Sequence, residues 1–169
     1  GLGGDTITTG SGADHVIADN GWFERDGSDL LTAMRTTEPS FGDDDTVDTT
    51  GDTAGADTIV GGIGDDTLGG GVVDAADDVL IGDSAVVLVN QAANVNTVTT
   101  SRSADPITGV ETDDLSHGGL DTITGGGGAD LIIGGSGGRD GGTLGDSLSG
   151  NVGDDMIVGD NAVSYTHLR

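Results

Sequence analysis

A phrase of nine residues recurs along the chain and limits what it can fold into more than any other feature. Asp-Thr-Ile appears at Asp5, Asp57 and Asp121, and each time a further aspartate follows nine positions on, at Asp14, Asp66 and Asp130. The best-preserved copies, residues 61–69 (GGIGDDTLG) and 125–133 (GGGGADLII), fit G-G-x-G-x-D-x-U-x, where U is a large aliphatic residue. Asp78, Asp146 and Asp155 fall in the same sixth slot. The residue two after each of these aspartates is Ile7, Val16, Ile59, Leu68, Leu80, Ile123, Ile132, Leu148 or Ile157, aliphatic every time. At 33% apolar residues, chance would give this about once in twenty thousand trials. The period is therefore structural. Two insertions interrupt it, after Gly70 and around 134–145.

The chemistry of each slot says how such a phrase folds. Glycines allow positive φ and a tight turn, the aspartate stands at the turn's exit, and x-U-x makes a short strand with one side chain pointing inward. Two phrases then form one coil of a flattened parallel solenoid, and the inward aliphatics of successive coils stack into a thin ladder between two sheets. Each rung buries one Val, Ile or Leu, worth about 1.5 to 3 kcal/mol, against about 1 to 2 kcal/mol of backbone entropy for every residue ordered. Burial alone loses that comparison. Stacking also brings aspartates together on one side of the coil. A hard divalent cation answers both deficits: calcium takes six to eight oxygens, and bare glycine turns expose carbonyls that can converge with carboxylates of successive coils. Metal binding would then be coupled to folding.

Composition removes most other functions. Thirty acidic residues stand against five basic ones, for a net charge of -25, and all five basic residues are arginine. A nucleic acid or an anionic membrane needs a basic surface to displace counterions, which this chain lacks. A Walker phosphate loop needs a lysine. The absence of cysteine removes zinc-finger, iron–sulfur and thioredoxin-like readings.

These residues resemble the calcium-binding repeats-in-toxin (hemolysin-type) family, whose signature is this nonapeptide. The resemblance covers residues 1–20, 55–84 and 118–162. It implies an all-β fold of parallel β-roll blocks, several calcium ions held between adjacent turns, and secretion of a disordered chain that folds outside the cell. Carried over, the pattern makes Asp5, Asp14, Asp57, Asp66, Asp78, Asp121, Asp130, Asp146 and Asp155 the side-chain ligands. Gly62, Gly64, Gly126 and Gly128 would shape the turns and lend carbonyls. Adjacent coils should pair Asp57 with Asp78, Asp121 with Asp146, and Asp130 with Asp155; Asp5 and Asp14 are half-sites unless a later block stacks on them. Runs of only two to four tandem repeats depart from the family's longer arrays.

The blocks end alike, at residues 17–20 (IADN), 81–84 (IGDS) and 158–161 (VGDN). Asp19, Asp83 and Asp160 in these phrases are read first as turn or cap formers and second as calcium ligands. Segments 21–54 and 85–117, with apolar alternation over 85–89 and 94–100 and with Glu38-Pro39 and Asp105-Pro106, are read as hairpin or loop excursions from the roll. The larger module resembles repeats of very large bacterial surface and matrix proteins. The leading expectation is a noncatalytic calcium-binding spacer or adhesive segment of a secreted or surface-attached bacterial protein, partnered by calcium, neighbouring repeat blocks and an unidentified surface. The alternative is the secretion and folding module of a hydrolase or toxin whose active domain lies elsewhere; flanking gene sequence discriminates the two.

Other residues carry bland readings. Asp43-Asp44-Asp45 and Asp113-Asp114 read as solvated loop, and no loop has the spacing and terminal glutamate of an EF-hand. His15 is an outward-facing surface residue, and His117 lacks a partner histidine for zinc. Trp22 and Phe23 read as packing on the roll's edge. Regularly spaced carboxylates without an aromatic platform do not suggest glycoside hydrolysis, and no enzyme is expected. The chain opens on Gly1 without a methionine, a signal peptide or an apolar run of about 18 residues, and reads as an internal fragment that does not insert into a membrane. Residues 163–169 (VSYTHLR) match one frame of a transposon adapter used in short-read sequencing and are set aside as a technical scar.

Overall fold

A computed structural model describes residues 1–38, 40–48, 51, 54–71, 75–90, 95–100, 118–135, 145–160 and 165–168. Pro39, Asn94, Asp105-Pro106, Asp113-Asp114, His117, Asn161 and most of the insertion around 134–145 lie outside them. The described chain is all-β, with fifteen strands in three five-stranded sheets.

Ten strands make the roll, alternating between two parallel sheets. Sheet I holds β1 (Thr6–Thr8), β5 (Thr46–Asp48), β7 (Thr67–Gly69), β11 (Thr122–Gly127) and β13 (Ser147–Val152). Sheet II holds β2 (His15–Ile17), β6 (Thr58–Gly62), β8 (Val79–Asp83), β12 (Leu131–Gly135) and β14 (Met156–Asp160). Because consecutive coils add strands in chain order, Ile7, Val47, Leu68, Ile123 and Leu148 align in one column and Val16, Ile59, Leu80, Ile132 and Ile157 in the other. These columns face each other and form the inner core. Every aliphatic of the nonapeptide register stands in these columns, with Val47 a tenth, and all but the exposed Ile157 of the last coil pack in the core.

The roll is one continuous stack of five coils. β5 lies inside the 21–54 stretch read as an excursion, yet it is a rung of sheet I, paired to β1 and β7. The excursion proper is the antiparallel hairpin β3 (Gly21–Arg25) and β4 (Leu31–Thr36), turned by Asp26, whose Oδ1 accepts the Ser28 and Leu30 amides. The second is β9 (Ala85–Asn90) and β10 (Val95–Thr100). Both join sheet III, in the order β3-β4-β9-β10-β15, where β4 pairs with β9. β15 (Tyr165–Leu168), from the stretch set aside at the C-terminus, pairs with β10.

Sheet III explains why sheet II is apolar on both faces. Val60, Val79, Ile81, Leu131 and Ile133 point away from the roll interior and are buried against Leu31, Met34, Ala85 and Val87. Phe23 pairs with Met34 at the edge of this sheet and is half-exposed, whereas Trp22 pairs with Arg35, whose guanidinium lies 5.7 Å from the indole. His15 occupies the outward slot of sheet II but is half-buried, since that face is covered. Among the described residues nothing covers sheet I: Thr6, Thr46, Thr67, Thr122 and Ser147 form an exposed hydroxyl row.

Candidate metal centre

At the turn before each roll strand stands one aspartate, and the coil spacing makes these aspartates two ladders. Entering sheet I, the ladder runs Asp5, Asp45, Asp66, Asp121, Asp146. Each amide donates to the Oδ1 of the next, at 2.6, 2.8, 2.9 and 3.0 Å. Entering sheet II it runs Asp14, Asp57, Asp78, Asp130, Asp155, with the same bond at 2.9, 2.8, 3.0 and 3.1 Å. Each carbonyl meanwhile accepts from the amide following the next rung's aspartate: Thr122 N–H donates to Asp66 O and Leu131 N–H to Asp78 O. Six rungs, Asp45, Asp57, Asp66, Asp78, Asp121 and Asp130, are at most 2% exposed.

All nine aspartates of the nonapeptide slot stand in these ladders, and the three adjacent pairs are neighbours. Asp5 and Asp14 are not isolated, because Asp45 and Asp57 stack on them. The solvated-loop reading of Asp45 is corrected: it is 2% exposed and carries a rung. Its signal was present in Asp45-x-Val47, a sixth slot and its aliphatic without the glycines of the first, second and fourth slots. Asp43 and Asp44 are exposed, although Asp44 Oδ1 accepts the Asp65 amide.

The second carboxylate oxygen defines the chemistry. In Asp14, Asp45, Asp66 and Asp121 the Oδ2 is buried and accepts no hydrogen bond. In Asp66 and Asp121 it lies against the Cα of a glycine, and a backbone carbonyl of the next coil converges on the same spot. A Cβ on Gly61 would collide with Asp66 Oδ2 and Gly82 O; one on Gly82 would collide with Asp121 Oδ2 and Gly134 O. At Gly70 it would stand 2.5 Å from Gly125 O and 2.6 Å from Asp78 Oδ2. Gly125 repeats the arrangement with Asp130 Oδ2 and Gly150 O, and Gly150 lies against Asp155 Oδ2. Gly62, Gly64, Gly126 and Gly128 have φ of 130°, 123°, 115° and 114°, so they turn the chain in a region closed to most side chains. The carbonyls that converge with a carboxylate Oδ2 at these glycines are those of Gly82, Gly125, Gly134 and Gly150, and Gly128 O and Asp155 Oδ1 meet at Gly153.

Burial pushes the Asp66 carboxyl up to about 8 and that of Asp121 to about 9, with the neighbouring carboxylates adding to the shift. Desolvation disfavours the anion, and among the described residues the charges that act on either group are carboxylates. The described ion pairs, Gly1 with Asp5, Arg25 with Asp29 and Arg35 with Glu24, lie at the first coil and on sheet III. The donor set is wholly oxygen, anionic and carbonyl, which suits a hard cation. Among the described residues, no three His, Cys, Asp or Glu side chains gather at one point. An ion here would therefore be held by one or two carboxylates, with carbonyls and water supplying the rest.

Comparison with protein-family models, with curated proteins and with solved structures returned no match. The buried aspartate ladders and parallel sheets are those of a parallel β-roll-like repeat.

Proposed function

We propose that this chain is a noncatalytic calcium-binding segment of a large secreted or surface-attached bacterial protein, ordered into a rigid spacer by extracellular calcium. The observation that carries this reading is the set of buried carboxylate oxygens without a donor, those of Asp66 and Asp121 each beside a carbonyl of the next coil. An unpaired buried anion costs several kcal/mol, and a doubly charged ion between the coils turns that cost into cohesion. The resemblance of the nonapeptide to repeats-in-toxin proteins supports calcium as the ion and secretion as the route. Extracellular calcium modules bind at about 10⁻⁴ to 10⁻³ M, a range that leaves the chain unfolded in a calcium-poor cytosol and folds it on export.

Circular dichroism during calcium titration tests the reading, with magnesium as control. A cooperative coil-to-β change with calcium and little change with magnesium, which demands tight octahedral geometry, is the expected result. An unchanged spectrum at about 10 mM calcium, far above that affinity range, overturns it.

A further inference from the structure

One column of the roll alternates between two residue types. In the second position after the outward aliphatic of sheet II, successive coils carry Asp19, Gly62, Asp83, Gly135 and Asp160. The aspartates mark the coils from which the chain leaves for sheet III, since β3, β9 and β15 follow them. The glycines, with φ of 130° at Gly62 and 125° at Gly135, mark the coils that continue within the roll.

At the exits, the carboxylate fills the space that glycine leaves in the next coil. A Cβ on Gly62 would strike Asp19, and one on Gly135 would strike Asp83, in both cases at Cβ, Cγ and Oδ2. Asp19 Oδ2 accepts the Ile63 amide at 2.6 Å, and the Asp43 amide also approaches this carboxylate. Asp83 is 6% exposed, and its Oδ1 accepts the Gly119 amide at 3.2 Å. Each stands beside a ladder rung with an unmatched oxygen. Asp121 Oδ2 crowds the Cα of Gly82, the residue preceding Asp83, together with Gly134 O. Two coils earlier, Asp45 holds the register position relative to Asp19 that Asp121 holds relative to Asp83, and it is 2% exposed with its Oδ2 lacking any donor. Two anions this close, one of them buried with an oxygen that meets no donor, describe a place for a cation.

We propose that Asp19 with Asp45, and Asp83 with Asp121, each hold a divalent cation that pins the foot of a hairpin to the roll, in addition to any ions held by the nonapeptide aspartates alone. This rests on the calcium reading. It assigns the block-end aspartates a ligand role, and it makes attachment of sheet III cation-dependent. The first foot has its own reporter: Trp22, the chain's single tryptophan, lies three residues beyond Asp19, and Asn20 O accepts the Thr37 amide to close the hairpin there.

The test compares wild type with Asp19→Asn, Asp83→Asn and, as a charge control, Asp29→Asn at the exposed hairpin tip. Asparagine keeps an oxygen for the Ile63 or Gly119 amide. Calcium uptake is counted by equilibrium dialysis, and Trp22 emission is followed during titration. One ion fewer in each exit variant, with the Trp22 midpoint in Asp19→Asn moved at least tenfold to higher calcium and Asp29→Asn unchanged, is the expected result. Equal ion counts and an unmoved Trp22 midpoint overturn the inference while leaving the calcium reading intact; a wild-type chain that takes up no calcium sinks both. If Asp19→Asn gives no calcium-induced β spectrum, the ion count of Asp83→Asn decides.

Discussion

Asp66 and Asp121 each present one carboxylate oxygen to a neighbour's amide and the other to a place where no donor stands, and this division sets how the fold answers to pH. Both carboxyls have folded values raised from 3.8, to about 8 and about 9. In the cation-free chain the folded state thus keeps protons that the unfolded state has lost. The contribution to stability is whole below about pH 4 and falls as pH rises through the folded values, by about 1.4 kcal/mol per pH unit for each group. The β signal of the chelated protein should therefore be strongest near pH 4 and fade toward neutrality, whereas the calcium midpoint should move to lower concentration as pH rises. Asp121→Asn removes the buried charge but keeps the oxygen that accepts the Asp66 amide. Its chelated form should hold β structure to higher pH than wild type while needing several-fold more calcium to saturate, read by circular dichroism in both states. Close approach matters as much as charge. Gly82→Ala drives a methyl into Asp121 Oδ2 and Gly134 O, so the calcium-loaded protein should lose about 1 to 3 kcal/mol or more. Gly27→Ala, with open space around it, should leave the thermal midpoint within a degree or two, about the shift a few tenths of a kcal/mol gives.

Strands of three to six residues cannot stand alone, and each is held by its column. Ile132 is fully buried between Leu80 and Ile157 in its row and faces the sheet I column, while Ile157, in the last coil, is 46% exposed. Ile132→Ala should cost about 2 to 5 kcal/mol and Ile157→Ala under about 1 kcal/mol, measured by denaturant unfolding at saturating calcium. The two sheets were partly legible beforehand. Residues following the inward aliphatic are Thr8, Asp48, Gly69, Thr124 and Ser149 in sheet I, but Ile17, Val60, Ile81, Ile133 and Val158 in sheet II. That contrast says one sheet faces water and the other is covered. The nonapeptide frame hid it, because the frame asks only about U. The same frame passed over Asp45 and Val47, which lack the glycines of the first, second and fourth slots yet stack in register because β1 and β7 offer edges on either side.

Across the whole molecule, two cores share sheet II: the ladder inside the roll and the apolar layer beneath sheet III. The hairpins are a cover for the roll, and their removal exposes a continuous row of Val and Ile. Met34, fully buried at the centre of that layer, is the natural probe. Met34→Asp places a charge there without touching either aspartate ladder. The variant should still gain β structure with calcium, but with increased binding of a hydrophobic dye and faster proteolysis between 21 and 38, measured against wild type at equal calcium.

The order of amino acids alone determined the coil: a period of nine, an aliphatic two after every aspartate and glycines at the turn admit a two-sheet parallel roll and little else, and they named nine of the ten ladder aspartates. Tertiary structure decided which copies neighbour one another. Spacing along the chain cannot say that Asp66 stacks on Asp121 across an insertion of dozens of residues, or that two hairpins from separate excursions pair as β4 and β9. Those contacts are made between segments distant in the chain, where local propensity is silent and only the continuity of the stack, with the need to bury sheet II's outer face, selects the partner.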